Sequence, residues 1–140
     1  MRYFLLISSS LMMLVASSLS SAEPARSVDD FNNELEDIFR GGGDYDGFFE
    51  IVDPRGELKG GIKNLLSIIA TQTNGDQLRY VEMFRRNESA NGAKVVSVLL
   101  GEQNEVVIYL AFILLKREGI WGAVSVNAQS NFTKIPAVYH

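Results

Sequence analysis

The sequence contains no cysteine and only one histidine, His140, among its 140 residues. The absence of cysteine excludes a disulfide framework, a thiol nucleophile, an iron–sulfur centre and any zinc site built on thiolates. A single histidine excludes multi-histidine metal sites and leaves little room for imidazole acid–base catalysis. We therefore expect neither a bound metal nor a cofactor, and the composition favours a function that is not enzymatic.

The rest of the composition is that of an ordinary globular domain. Hydrophobic residues make up 46% of the chain, charged residues 21%, and the formal net charge is −4. The acidic residues are concentrated: residues 27–57 carry ten acids and two bases, whereas residues 58–140 carry nine bases and six acids. No basic stripe interleaved with aromatic residues is present, so we expect no nucleic-acid partner.

Residues 1–22 have the order of a secretory signal peptide. Arg2 is followed by an apolar run from Phe4 to Val15 and then by small residues that end at Ala22. The run is too short to span a bilayer comfortably, which takes about 20 apolar residues. The sequence predicts cleavage after Ala22, a mature chain of 118 residues with net charge −5 and no membrane span, and export to the periplasm of a Gram-negative cell or otherwise secretion.

The first half of the predicted domain, residues 23–140, is helical. Ser27 is a candidate N-cap, and apolar residues at helical spacing up to the glycines at 41–43 predict a helix over 28–40. Residues 44–52 read as a loop. Asp53 and Pro54 resemble a second helix start, and the apolar stripe continues most clearly over 61–71.

The second half predicts four strands, over 77–86, 93–100, 105–117 and 120–128, followed by a tail over 129–140. The strict alternation of the first strand would place Leu78, Tyr80 and Phe84 on one face and Arg79 and Arg85 on the other. The third strand is apolar at every position from 106 to 115, so it must be covered on both faces.

Helices followed by strands indicate an α+β fold with a core over 28–128, in which two N-terminal helices pack on one face of a curved, four-stranded antiparallel meander. The element order and the final hairpin, YLAFILLKREGIWGAVSVNAQ over 109–129, resemble the nuclear transport factor 2-like superfamily. The resemblance covers residues 28–129. It implies a cone-shaped domain whose sheet wraps its helices around an apolar pocket, and it transfers no catalytic residue to this chain.

Four aromatic residues are the candidate ligand-binding set: Tyr80, Tyr109, Phe112 and Trp121. Their side chains could line the cone pocket, since ligand sites are mostly apolar with a few polar groups. Aromatic residues are also ordinary core material, and the sequence favours that interpretation.

Two groups of charged residues are further candidates, one for a calcium site and one for an anion site. The predicted loop carries four carboxylates, Asp44, Asp46, Glu50 and Asp53. Carboxylate oxygens are the ligands that calcium prefers, but these four lack the full spacing of a calcium-binding loop. The sequence favours a solvated loop with Asp53 as a helix cap. Arg79 and Arg85 would lie about 20 Å apart on an extended strand, too far to clamp one anion together.

Three functions remain open. The first is a non-enzymatic exported domain that binds a protein partner or forms a homodimer through its sheet, motivated by the two-sided apolar strand 105–117. The second is a carrier or sensor of a small apolar ligand in the cone pocket. The third is an enzyme of the isomerase or dehydratase kind, which would need a buried carboxylate facing that pocket.

Overall fold

The computed structural model describes residues 23–135 and confirms the α+β class. The predicted signal peptide over 1–22 and the end of the tail, including His140, lie outside these residues. Three helices precede a four-stranded antiparallel sheet of order β1-β2-β3-β4. The elements are α1 (Val28–Gly41), α2 (Phe48–Val52), α3 (Lys59–Thr73), β1 (Leu78–Ser89), β2 (Gly92–Gly101), β3 (Val107–Arg117), β4 (Ile120–Gln129) and a 3-10 turn (Phe132–Lys134).

Helix α1 begins and ends where the sequence predicts. The Ser27 side chain accepts a hydrogen bond from the backbone N–H of Asp30 over 3.0 Å, which satisfies one of the free donors of the first turn. Gly42 ends the helix at a φ of 66°, a backbone conformation that glycine adopts without strain. The apolar face of the helix is buried throughout: Val28, Phe31, Leu35, Ile38 and Phe39.

The segment 44–52, predicted to be a loop, contains the short helix α2. Three of its five residues are buried, Phe48, Ile51 and Val52, and this burial rather than local propensity stabilises so short a helix. Tyr45 precedes it in a left-handed conformation (φ 54°) and is buried. Its hydroxyl bonds to Thr73 Oγ1 over 2.7 Å and donates to the backbone carbonyl of Asp76 over 2.9 Å, which ties this segment to the end of α3.

The predicted helix start at Asp53 and Pro54 is wrong. Helix α3 begins at Lys59, because the chain first makes a turn through Gly56 at a φ of 66°. The Asp53 carboxylate accepts hydrogen bonds from the backbone N–H groups of Glu57 and Leu58, so it closes this turn instead of capping the helix. The turn also packs on the sheet, since an added Cβ at Gly122 would lie 2.8 Å from two ring carbons of Pro54.

Each strand pairs antiparallel with the next one in the chain, and the first and last connections are tight turns. Ser89 pairs with Gly92 across the first turn, which confirms a hairpin at the predicted position. Glu118 and Gly119 form the last turn with φ values of 52° and 79°, the pattern of a type I′ hairpin turn. Between them, β2 pairs with β3 without interruption from Gly92 to Leu100.

A β-bulge at Met83 reverses the alternation of β1. The register shifts between Glu82 and Phe84, so the residues from Phe84 to Asn87 face the side opposite to that expected from strict alternation, up to a second shift between Asn87 and Ser89. Phe84 therefore does not share a face with Tyr80, and Arg85 does not share one with Arg79. The sequence prediction for these two side chains is wrong because a one-residue insertion leaves no mark in the apolar pattern.

All three helices cover one face of the sheet, which we call the inner face. The largest core cluster joins the buried side of α1, α2 and α3 to alternate residues of the four strands. Phe31 packs edge-on against Phe112 of β3, with ring centroids 5.2 Å apart. Phe39 stacks on Tyr80 of β1 with centroids 6.0 Å apart, so aromatic rings fill the space between α1 and the sheet.

The opposite, outer face is covered in part by the chain itself. After β4 the backbone turns across this face, and the Phe132 ring lies 5.4 Å from that of Tyr109. Ile135 is buried against Val96 and Ala111, at the centre of the sheet. The side of β3 that the sequence predicts to need a second cover thus obtains part of that cover from residues 131–135.

Candidate functional site

An apolar area remains uncovered on the outer face, on the side of β1. Residues directly opposite one another in β1, β2 and β3 form rows across this face. One row is Val81–Val98–Tyr109, and the next is Phe84–Val96–Ala111. Val81, Phe84 and Val107 are 38%, 40% and 40% exposed, which is high for large apolar side chains in a sheet. We call these residues and their neighbours the outer-face patch: Val81, Phe84, Val98, Leu100 and Val107.

Charged side chains stand at the two ends of the outer-face patch. Arg79 lies at one end, opposite Leu100, is exposed and makes no ion pair with any residue in the described range 23–135. At the other end Arg86 pairs with Lys94 across the sheet. Both cations contact the Glu88 carboxylate, at 2.7 and 3.3 Å, and these contacts hold the pKa of Glu88 below its ordinary value. One end is therefore an unpaired cation, and the other is a cluster of two cations around one carboxylate, with one net positive charge.

A second apolar feature, the α3–β4 groove, runs between helix α3 and the edge strand β4. It consists of two adjoining clefts of about 390 and 230 Å³ that share Gly61 and Leu65. The larger cleft is lined by Gly61, Asn64, Leu65, Ile68, Ile69, Gln72, Ile108, Ala128, Gln129 and Ser130. The smaller is lined by Leu58, Gly61, Ile62, Leu65, Val124, Ser125 and Val126.

Among the described residues that line the α3–β4 groove, none carries an ionisable side chain. The polar groups are the side-chain amides of Asn64, Gln72 and Gln129 and the hydroxyls of two serines, all in or beside the apolar walls. Ile68 stands on the groove wall with 55% of its surface exposed. The described lining can therefore offer apolar contact and neutral hydrogen bonds.

The ionisable groups of the inner face are instead bound to one another. The Tyr80 hydroxyl donates to Asn32 Oδ1 over 2.7 Å and accepts from Ser97 Oγ over 2.7 Å. Asn32 also donates to the Glu82 carboxylate. Arg85 continues the chain, donating to Glu82 Oε2 over 3.0 Å and to Asp29 Oδ1 over 2.6 Å. This network connects α1 to β1.

Burial raises the pKa of Tyr80 well above its ordinary value, although the hydrogen bond from Ser97 opposes the shift. The hydroxyl is thus held neutral, enclosed by its two partners. A tyrosine in that state stabilises packing and cannot act as an acid near neutral pH.

The four aromatic residues predicted to line one pocket do not lie together. Tyr80, Phe112 and Trp121 are buried in the inner-face core, whereas Tyr109 lies on the outer face beneath Phe132. Tyr109 and Phe112 are an odd number of residues apart in one strand, so their side chains must point to opposite faces. None of the four lines the α3–β4 groove.

The acidic loop is dispersed in the structure. The side chains of Asp44, Asp46 and Glu50 are exposed, and Asp53 is engaged with the turn that follows it. Within residues 23–135, no group of three histidine, cysteine, aspartate or glutamate side chains could hold a metal ion.

Sequence reasoning missed both apolar features as sites. Ile68 is not among the residues of the predicted apolar stripe of α3, which are Leu58, Ile62, Leu65, Leu66 and Ile69. An isoleucine away from the buried face of an amphipathic helix is a sequence signal for an exposed apolar site. The exposure of Val81 and Phe84 gave no such signal, because it depends on the bulge at Met83 and on the path of residues 131–135.

No family model, curated protein or solved structure matches this chain. The resemblance to the nuclear transport factor 2-like superfamily accordingly stays a prediction. None of the helices within residues 23–135 is both long enough and apolar enough to cross a membrane.

Proposed function

We propose that this protein is a non-enzymatic assembly domain that pairs with a second copy of itself through the outer-face patch. The observation that carries the proposal is the adjacency of Val81 and Phe84, two large apolar side chains left exposed on a face whose centre is otherwise covered. Contiguous exposed apolar surface on a small domain is typical of an interaction site. A closed two-fold dimer is the commonest assembly of soluble chains.

A two-fold arrangement can place two copies of the outer-face patch face to face. The axis would lie parallel to the sheet and perpendicular to β1, near Val81 and Phe84, and would reverse the order of the rows in the second copy. Arg79 of each copy would then lie over the cluster that contains Glu88 of the other. The apolar residues between the two ends would be removed from water, which favours association, while Arg79 would lie close to a cluster with one net positive charge.

The proposal is tested by the substitution Phe84→Glu, with sedimentation velocity measured over a range of protein concentrations. A carboxylate at position 84 would be buried without a partner in the dimer but solvated in the monomer, so we expect a loss of association of at least about a hundredfold. The matched control is Phe49→Glu. Phe49 is exposed to nearly the same extent, 37%, but belongs to α2 on the helical side of the molecule.

Arg79→Gln supplies a second measurement. It removes a positive charge but no apolar surface. Because this charge would face a cluster with one net positive charge in the dimer, we expect tighter association and a smaller dependence on salt concentration. Equal loss of association in Phe84→Glu and Phe49→Glu would contradict the proposed face. A protein that sediments as a monomer throughout would contradict self-association and would leave a different protein as the occupant of the patch.

A further inference from the structure

The α3–β4 groove lies apart from the outer-face patch and has its own chemistry. Its floor and walls are apolar, formed on one side by Leu65, Ile68 and Ile69 and on the other by Ile108 and Ala128. The helical wall from Gly61 to Gln72 is about 16 Å long at 1.5 Å per residue. The larger cleft alone, at about 390 Å³, lies within the usual range of ligand pockets, about 300–1,000 Å³.

The charges of the groove indicate what kind of molecule it can hold. Charged residues make up 21% of the sequence, yet none of those whose side chains the structure describes lines either cleft. A ligand carboxylate, phosphate or ammonium would lose hydration there without gaining an opposite charge. The amides of Asn64, Gln72 and Gln129 can instead donate to and accept from a neutral hydroxyl or amide.

From this complementarity we propose that the α3–β4 groove binds a small, neutral, elongated amphipathic molecule: an unbranched apolar chain with one hydroxyl or amide group. The chain lies along Leu65 and Ile68, and the polar group bonds to the amides beside the larger cleft. Each methylene removed from water favours binding, so an extended chain that lies along the whole groove suits it better than a compact one does.

Gly61 keeps the groove continuous. It lines both clefts, and a Cβ built on it would meet no atom within 4 Å. A long side chain at this position would extend into the space that joins the clefts. Gly60, the preceding residue of the same helix, also has free space around its Cβ but lines neither cleft, which makes it a matched control.

The test is a titration of the isotope-labelled protein with decanol, followed by backbone amide chemical shifts. Decanoate serves as the charged counterpart of the same chain length. We expect saturable shifts centred on Gly61, Ile68 and Ala128, with decanoate binding at least about tenfold more weakly. Gly61→Leu is expected to weaken decanol binding by at least about tenfold, whereas Gly60→Leu leaves it within about twofold. Thermal unfolding of both variants establishes that they are folded.

Several results would overturn the assignment. They are the absence of saturable shifts, equal binding to both glycine variants, or decanoate binding as tightly as decanol. Shifts centred on Val81 and Phe84 would place the probe on the outer-face patch instead and would also contradict it. The outcome is distinguishable from that for the dimer, because Phe84→Glu changes association and leaves the groove lining intact.

Discussion

The Tyr80 hydroxyl donates a hydrogen bond to Asn32 Oδ1 across 2.7 Å and so connects strand β1 to helix α1. Both groups have second partners, Ser97 for the tyrosine and Glu82 for the asparagine. A buried polar network of this kind stabilises a fold when every member is paired and destabilises it when one is removed. It also determines how α1 lies on the sheet and which ionisable groups are withdrawn from solvent.

Removing the Tyr80 hydroxyl is predicted to destabilise the protein. Tyr80→Phe keeps the ring that stacks on Phe39 but leaves Ser97 and Asn32 without this partner, so we expect a loss of about 1–3 kcal/mol in the free energy of unfolding. Chemical denaturation measures it. The matched control is Tyr109→Phe, whose hydroxyl makes no hydrogen bond within the described residues and whose removal is expected to change stability by less than about 0.5 kcal/mol. Equal effects would contradict the role assigned to the network.

Stability is predicted to decline in alkaline solution because burial raises the pKa of Tyr80. The unfolded chain releases this proton near the ordinary tyrosine pKa of about 10, whereas the folded chain retains it to higher pH. The stabilisation is thus fully present below pH 10 and is lost as pH rises further. Tyr80→Phe should flatten the decline in part, with the remainder due to Tyr45, whose pKa burial also raises. An unchanged slope in the variant would contradict this.

The contact of Pro54 with β4 is predicted to require glycine at position 122. Gly122→Ala would place a methyl group 2.8 Å from two ring carbons that cannot rotate away, so we expect a destabilisation of about 1–3 kcal/mol. Gly60→Ala is the matched control in open space within a helix, where alanine is favoured by up to about 1 kcal/mol. The two melting temperatures should move in opposite directions. A stabilised Gly122→Ala would show that the turn over 53–58 does not pack on β4 as described.

The N-cap of α1 is predicted to contribute measurably to stability. Ser27→Ala removes the acceptor of the Asp30 backbone N–H, at a loss of about 1 kcal/mol. Ser67→Ala is the control, since Ser67 is exposed inside α3 and alanine is the better helix former there. Urea denaturation of the two variants should give changes of opposite sign, and similar changes would indicate that Ser27 does not cap α1.

Local sequence signals sufficed for α1 and for the hairpins. Helix α1 has an N-cap at Ser27, an apolar face that includes Phe31, and a terminating glycine at Gly42, and all three predict the same helix. The type I′ turn is specified by its two central residues, Glu118 and Gly119. Helix α2 could not be predicted in this way, because five residues do not form a helix without the packing of Phe48 and Ile51. Aspartate is a common helix N-cap, but the Asp53 carboxylate accepts a hydrogen bond from the backbone N–H of Glu57 within the turn that precedes α3.

The apolar surfaces depend on long-range structure that sequence patterns do not contain. Phe84 reaches the outer face only because of the bulge at Met83, and it stays 40% exposed although Ile135 packs on the neighbouring Val96 and Ala111. The apolar third strand predicted that a second covering exists. The pattern could not indicate that Ile135 covers Val96 and Ala111 while Phe84 stays exposed.

The central claim, association through the outer-face patch, is tested most directly by the molar mass of the purified protein in sedimentation equilibrium, compared with that of Phe84→Glu. We predict a concentration-dependent rise to twice the mass of one chain for the unaltered protein and for Phe49→Glu, and a single-chain mass for Phe84→Glu at every concentration. A single-chain mass for the unaltered protein, or a dimer that persists in Phe84→Glu, would contradict the account.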